Sequence, residues 1–144
     1  MDRSIADRPL IQLTTTVAAP PRDVWDILVG KPSTVFMGAA VETDWRIGHP
    51  ITMSGSFNGK SFKDTGEIRS FDPGHELSFT HRSGTSKETN LVTFTLEPQG
   101  EGTRVRLSQT PMGERQVSSE QKAKMAETWA AMLDALKTEA ARHH

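Results

Sequence analysis

The chain has no cysteine. Disulfides, thiolate nucleophiles and cysteine-ligated zinc are therefore excluded. Such a composition fits a reducing compartment, and the expected location is the cytoplasm. There is also no surplus of charge. Lys and Arg number 17 against 18 Asp and Glu, a net charge of -1. No basic footprint invites nucleic acid or an anionic membrane. No apolar run approaches the ~20 residues that span a bilayer, and no signal-peptide core is expected. Internal repeats and low-complexity linkers are absent. So are the short catalytic signatures. There is no G-x-S-x-G elbow, no H-E-x-x-H pair and no acidic calcium loop. "FNGK" lacks the spacing of a phosphate loop and reads as a turn.

What is present is a patterned single domain. Its 144 residues suit one unit, 1–144, with loose ends at 1–9 and 142–144. A domain of this size buries roughly 70% of its unfolded surface and needs no staple. "LIQLTTTVAA" is rich in β-branched residues and reads as a strand, with Ile11, Leu13, Thr15 and Val17 on one face. Pro20 and Pro21 then open a helix carrying an apolar stripe of Val24, Trp25, Ile27 and Leu28. Gly30 and Pro32 stop it. "STVFMGAA" is expected to form a second short helical turn or a loop.

From Val41 to Thr110 the apolar period is two. "ITMSGSF", "SFKDTGEIRSF", "HELSFTHR", "NLVTFTLEP" and "TRVRLSQT" read as strands, and "VETDW" offers a short extra one. The segments between them are turn-like and too short for crossover helices, so the sheet is antiparallel. The period then changes. Met125, Trp129, Met132, Leu133 and Leu136 stripe a helix of about six turns. Ser118 and Gln121 fit a capping box at its start. The apolar stripe must be buried against one face of the sheet. The space between them is where a small-molecule cavity forms.

Several stretches, in this order, resemble the START-like, or SRPBCC, superfamily. "VAAPPRDVWDIL" is similar to its opening strand and Pro-led helix. "DWRIGHPITM" resembles its Trp, Arg and Gly signature. "TGEIRSFDPGHELSFTHR" resembles its central hairpin, and "TWAAMLDALKTE" its closing helix. More narrowly, the pattern resembles the branch named after the activator of Hsp90 ATPase homologue. Three positions depart from it: His49 and Thr128 stand where the family commonly has Gly, and Gly74 where it commonly has a second Pro. The resemblance implies an α+β helix-grip fold. A curved antiparallel sheet wraps a long C-terminal helix, with a pair of short helical segments after the first strand. It also implies a broad functional range: lipid and hormone carriers, polyketide cyclases, oxygenase subunits, and bacterial hydrophobic-ligand binders or stress-response proteins. It supplies no catalytic set to carry over.

"FDPGHELSFTHR" is the most informative stretch. Alternation places Leu77, Phe79 and His81 on one strand face. His81 then ends an apolar row, as a wall residue, a ligand contact or a base. Asp64 alternates with Phe62, Gly66 and Ile68, so it points inward and needs a partner. His81 or Arg46 is available. An Asp64–His81 pair is the best acid/base candidate in the chain, provided register holds.

The remaining ligand candidates are Trp45, Phe57, Phe62, Phe79, Gln109, Trp129 and Met132. Most apolar residues of these rows are core, and those near the open end line the cavity. Met adapts to several ligand shapes. Trp25 reads as structural. No metal or cofactor is expected. His75 and His81 share a face but stand roughly 20 Å apart along an extended strand.

Three functions remain open. The favoured one is binding of a small hydrophobic molecule: a lipid, polyketide or aromatic compound. The others are a cavity enzyme using His81 and Asp64, and a chaperone regulator of the Hsp90 ATPase kind. An exposed sheet edge is available for pairing into a homodimer.

Overall fold

The computed structural model describes residues 11–29, 40–57, 59–82, 89–112 and 119–142. In chain order the elements are β1 (Ile11–Val17), α1 (Pro21–Val29), β2 (Ala40–Glu42), β3 (Pro50–Phe57) and β4 (Lys60–Asp72). β5 (Glu76–His81), β6 (Asn90–Gln99), β7 (Gly102–Pro111) and α2 (Ser119–Arg142) follow. The expected second helical segment after β1, the capping box and the loose end at 1–9 lie outside the described residues. Of the end expected to be loose at 142–144, Arg142 is still helical, as the last residue of α2, and 143–144 lie outside the described residues.

The strands form one seven-stranded sheet in the order β1-β7-β6-β5-β4-β3-β2. Every pairing is antiparallel. The meander from β2 to β7 runs by short hairpins, and β1 joins its far edge beside β7. The extra strand expected at "VETDW" is short, Ala40–Glu42, and takes in only the first two residues of that stretch. Beyond it the chain turns. Asp44 accepts from the Arg46 N–H, and Thr43 Oγ1 accepts from the Trp45 N–H.

Alternation sorts the sheet into two faces. Register aligns Leu13, Leu107, Phe94, Leu77 and Phe71 across one concave row. Ile11, Gln109, Val92, Phe79 and Ile68 make the next. Leu77, Phe79, Val92, Phe94, Val105 and Leu107 have no accessible surface. They make the floor of the core.

Two helices close over this floor. In α1, Val24, Trp25 and Leu28 are buried at helical spacing. The Pro20 carbonyl accepts from the N–H groups of Asp23 and Val24. Pro21 costs nothing at the first helical position, where its missing N–H would be an orphan. In α2, Trp129, Met132, Leu133, Leu136 and Ala140 are buried. This helix packs along β1 and α1, and Trp129 reaches inward, edge-on to Phe94 with ring centroids 6.3 Å apart. Buried Thr103 ties β7 to the corner after β1 by donating to the Ala19 carbonyl at 2.6 Å.

Gly66 has a different kind of role. A Cβ placed on it would lie 1.7 Å from the Thr80 carbonyl oxygen of β5. Only glycine allows this approach between β4 and β5. The Glu67 N–H then donates to Thr80 Oγ1 at 2.9 Å. Further along the same pair a bulge falls between Ile68 and Ser70, which bends β4.

Candidate functional site

The concave face is apolar over its middle and polar at one end. Continuing the alternation of β5 past Leu77 and Phe79 reaches His81. On β6 the residue directly opposite His81 is Asn90, which is buried. On β4 the inward row is Phe62, Asp64, Gly66 and Ile68. His81 Nε2 meets Asp64 Oδ2 at 2.8 Å. Their side chains keep only 24% and 19% of their accessibility, so the pair is screened from bulk water yet open to a visitor.

A carboxylate only accepts hydrogen bonds, so Nε2 is the ring nitrogen that carries hydrogen in this contact. The neutral ring then presents Nδ1 as its acceptor. Asp64 therefore sets the tautomer and orientation of His81, an arrangement suited to holding a ligand hydroxyl or to accepting a proton.

Gln109 also faces inward, buried on β7 between Val105, Leu107 and the strand end. Its Oε1 accepts a hydrogen bond from the indole Nε1–H of Trp129. An indole is donor only, so this contact fixes which way the amide is turned. Among the expected ligand residues, His81 and Gln109 thus stand at the polar end of the concave face. Phe62, two residues before Asp64 on its face, is half-buried. Trp129 and Met132 cover the floor from α2, and Phe79 has no accessible surface and is packed wall. The Phe57 side chain lies outside the described residues.

Trp45 is elsewhere. It stacks on Phe71 with centroids 5.8 Å apart, and Phe71 meets the edge of Trp25 at 5.2 Å. Seven residues of extended β4, roughly 20 Å, separate Phe71 from Asp64. Trp45 is therefore part of an aromatic cluster at the other end of β4, held there at φ 58°. Of the two partners expected for Asp64, His81 makes the contact, whereas Arg46 is exposed beside Asp44.

Sequence reasoning passed over Asn90 as a strand start. The signal was there, because Asn90, Val92, Phe94 and Leu96 alternate on the inward face. Among the described residues no cluster of three or more His, Asp or Glu side chains is placed to hold a metal ion, and no helix is long and apolar enough to cross a membrane.

An antiparallel sheet gripping a long C-terminal helix, with a polar end to an apolar concave face, defines a START-like protein of the SRPBCC superfamily. The match is more specific than that. The sequence model of the Activator of Hsp90 ATPase homolog 1-like proteins covers residues 18–141, and the chain belongs to that family. No curated protein sequence matches it. Solved structures do. Protein CV1439 of Chromobacterium violaceum is 19% identical with a TM-score of 0.77, over 90% of this chain and 95% of that one. ChR145 of Cytophaga hutchinsonii is 26% identical with a TM-score of 0.74, over 92% and 93%. DynU16, from the dynemicin biosynthetic locus, is 16% identical with a TM-score of 0.75, over 89% of this chain and 45% of that one.

Proposed function

We propose that the protein binds a small hydrophobic molecule across the concave face of the sheet, with its polar end at His81 and Asp64. The observation that carries this reading is the half-buried His81–Asp64 contact at the margin of an otherwise apolar surface. An ion-pair-capable group is costly there unless it is satisfied, and it is of little use to the core. It is well placed to orient a ligand. The likeness to a protein from a biosynthetic locus makes biosynthetic intermediates and lipids the first compounds to screen. Native mass spectrometry of the purified protein, with thermal-shift screening, tests the reading. Binders should raise the melting temperature and lose affinity in His81→Ala. A protein that binds none of the lipid, polyketide or aromatic classes overturns it.

The same contact favours a second reading, a cavity enzyme. His81 Nδ1 would take a proton from the substrate while Asp64 stabilises the resulting imidazolium. Asp64→Asn should then abolish turnover while leaving substrate affinity within a few fold. Regulation of an Hsp90-type ATPase, the activity in the family's name, would use an exposed surface. Nothing at the His81–Asp64 end serves it.

A further inference from the structure

The two edges of the sheet are built differently. One ends in β2, which has three residues and carries Glu42. Behind it β3 opens on Pro50. Shortness, charge and proline all blunt an edge against further pairing. The other edge is β1, and it has none of these devices. Ile11–Val17 holds no charged residue, no Pro and no Gly. Its register with β7 runs unbroken from Ile11 opposite Gln109 to Val17 opposite Thr103, so no bulge turns the edge away. Ile11, Thr14, Thr15, Thr16 and Val17 are β-branched, which suits a strand that pairs. Among the described residues no strand pairs with the outer side of β1.

Burial marks the same side. Leu13 and Thr15 face the core yet are only half-buried. Leu107 and Val105, directly opposite them on β7, have no accessible surface. α2 packs along β1, over that inward face, so the accessibility left to Leu13 is lateral, along the free edge. A strand laid against β1 would cover Leu13 and satisfy the outward backbone groups together.

We propose that this strand is β1 of a second copy of the chain, joined antiparallel about a two-fold axis at Thr14. The segment is self-complementary in that register. Thr14 meets Thr14, Leu13 meets Thr15, Gln12 meets Thr16 and Ile11 meets Val17. Inward residues face inward residues along the whole seam, and no charge is buried. The nearest cations, Arg104 and Arg106, stand one strand in, on β7. Arg106 and its counterpart are three strand spacings apart, roughly 14 Å, beyond the ~8 Å screening length of physiological salt. The dimer is closed, because it consumes both open edges and leaves the two blunted ones at its ends. It does not depend on the ligand-binding reading.

Analytical ultracentrifugation of the full chain tests it, from about 1 μM to about 1 mM, the span of moderate to weak affinities. The mass should climb from one chain to two. Over the same range the alternate β1 amides that point away from β7 should gain protection from hydrogen exchange. Two variants then fix the register. One is Gln12→Glu with Thr16→Glu, the other Gln12→Lys with Thr16→Glu. Gln12 and Thr16 are exposed, so the fold tolerates either, and Arg104 lies opposite residue 16 in both. The first puts two like-charge pairs across the seam and the second two opposite-charge pairs. Two such pairs correspond to about a tenfold change in affinity. The dissociation constant should therefore rise about tenfold in the first variant and fall about tenfold in the second. Monomer mass at every concentration would mean that the chain closes its own edge, and overturns the inference. A dimer that neither variant alters overturns it as well, because its interface lies elsewhere.

Discussion

The imidazole of His81 meets the carboxylate of Asp64 at 2.8 Å although 17 residues separate them in the chain. The contact exists because β4 and β5 form one hairpin whose inward rows lie side by side. Gly66 follows Asp64 by two residues on the same face of β4, and its lack of a side chain lets β4 press against the Thr80 carbonyl. A backbone accommodation in one strand thus sets a side-chain geometry across two. The same hairpin carries the apolar floor, Ile68 against Phe79, so the polar pair is anchored to the best-packed part of the sheet.

Asp64 is expected to dictate the His81 tautomer. Nitrogen-15 correlation spectra at alkaline pH should show Nε2 protonated and Nδ1 bare in the wild type. Asp64→Ala should produce a mixture of both tautomers and lower the unfolding free energy by about 1 kcal/mol, the scale of one partly exposed polar contact. An unchanged tautomer in the variant would mean that another group orients the ring.

Most of this geometry was legible beforehand, for one physical reason. Side chains alternate along a strand, so a correct strand assignment also assigns faces. Leu77, Phe79 and His81, and Phe62, Asp64 and Ile68, could be sorted without knowing which strands were neighbours. What alternation does not carry is backbone irregularity. The bulge between Ile68 and Ser70 and the approach of Gly66 to Thr80 depend on contacts between strands. Trp45 shows the same limit. Its aromatic character suggested a ligand wall, but its position follows from a left-handed turn fixed by Thr43 and Asp44 and from its stack on Phe71.

Gly66→Ala should be among the most damaging single-methyl substitutions in the chain. The new Cβ has backbone, not a movable side chain, in its way, so β4 and β5 must part. A loss of about 2–4 kcal/mol in urea unfolding is expected, in the range of a severe overpacking. The His81–Asp64 contact should loosen with it, read as line broadening of the His81 ring signals. A variant within 0.5 kcal/mol of wild type, about the size of an ordinary surface change, would show that the strands have slack there.

Trp45 occupies φ 58°, a region where a bulky side chain is strained. Trp45→Ala and Trp45→Gly both remove the stack on Phe71. Glycine also removes the backbone penalty, which is about 1 kcal/mol or more for other residues. Trp45→Gly should therefore be the more stable of the two variants by about 1 kcal/mol, the reverse of the usual order for these residues in regular structure. Chemical denaturation of the pair decides it.

The Asp44 carboxyl is exposed and titrates below its ordinary value. Desolvation is the largest single influence and acts to raise it. The Arg46 N–H, the His49 ring and the charges of His49 and Arg46 together act more strongly to lower it. Since the folded value is the depressed one, the group favours folding above the ordinary carboxyl range near ~3.9. That contribution fades as pH falls through the depressed value. His49→Ala should move the Asp44 titration upward in carbon-13 NMR while leaving the other aspartates in place. An unmoved Asp44 would assign the shift to Arg46, its N–H and its charge together.

The Trp129–Gln109 contact separates two ideas of what a buried hydrogen bond contributes. Trp129→Phe deletes the donor and leaves Gln109 Oε1 buried without a partner, which should cost about 1–3 kcal/mol. Removing both groups, in Trp129→Phe with Gln109→Met, keeps the volume and leaves no orphan. The double variant should then recover part of that loss, giving a coupling of about 1 kcal/mol in a double-mutant cycle. Strict additivity would mean that the indole and the amide contribute only as packing.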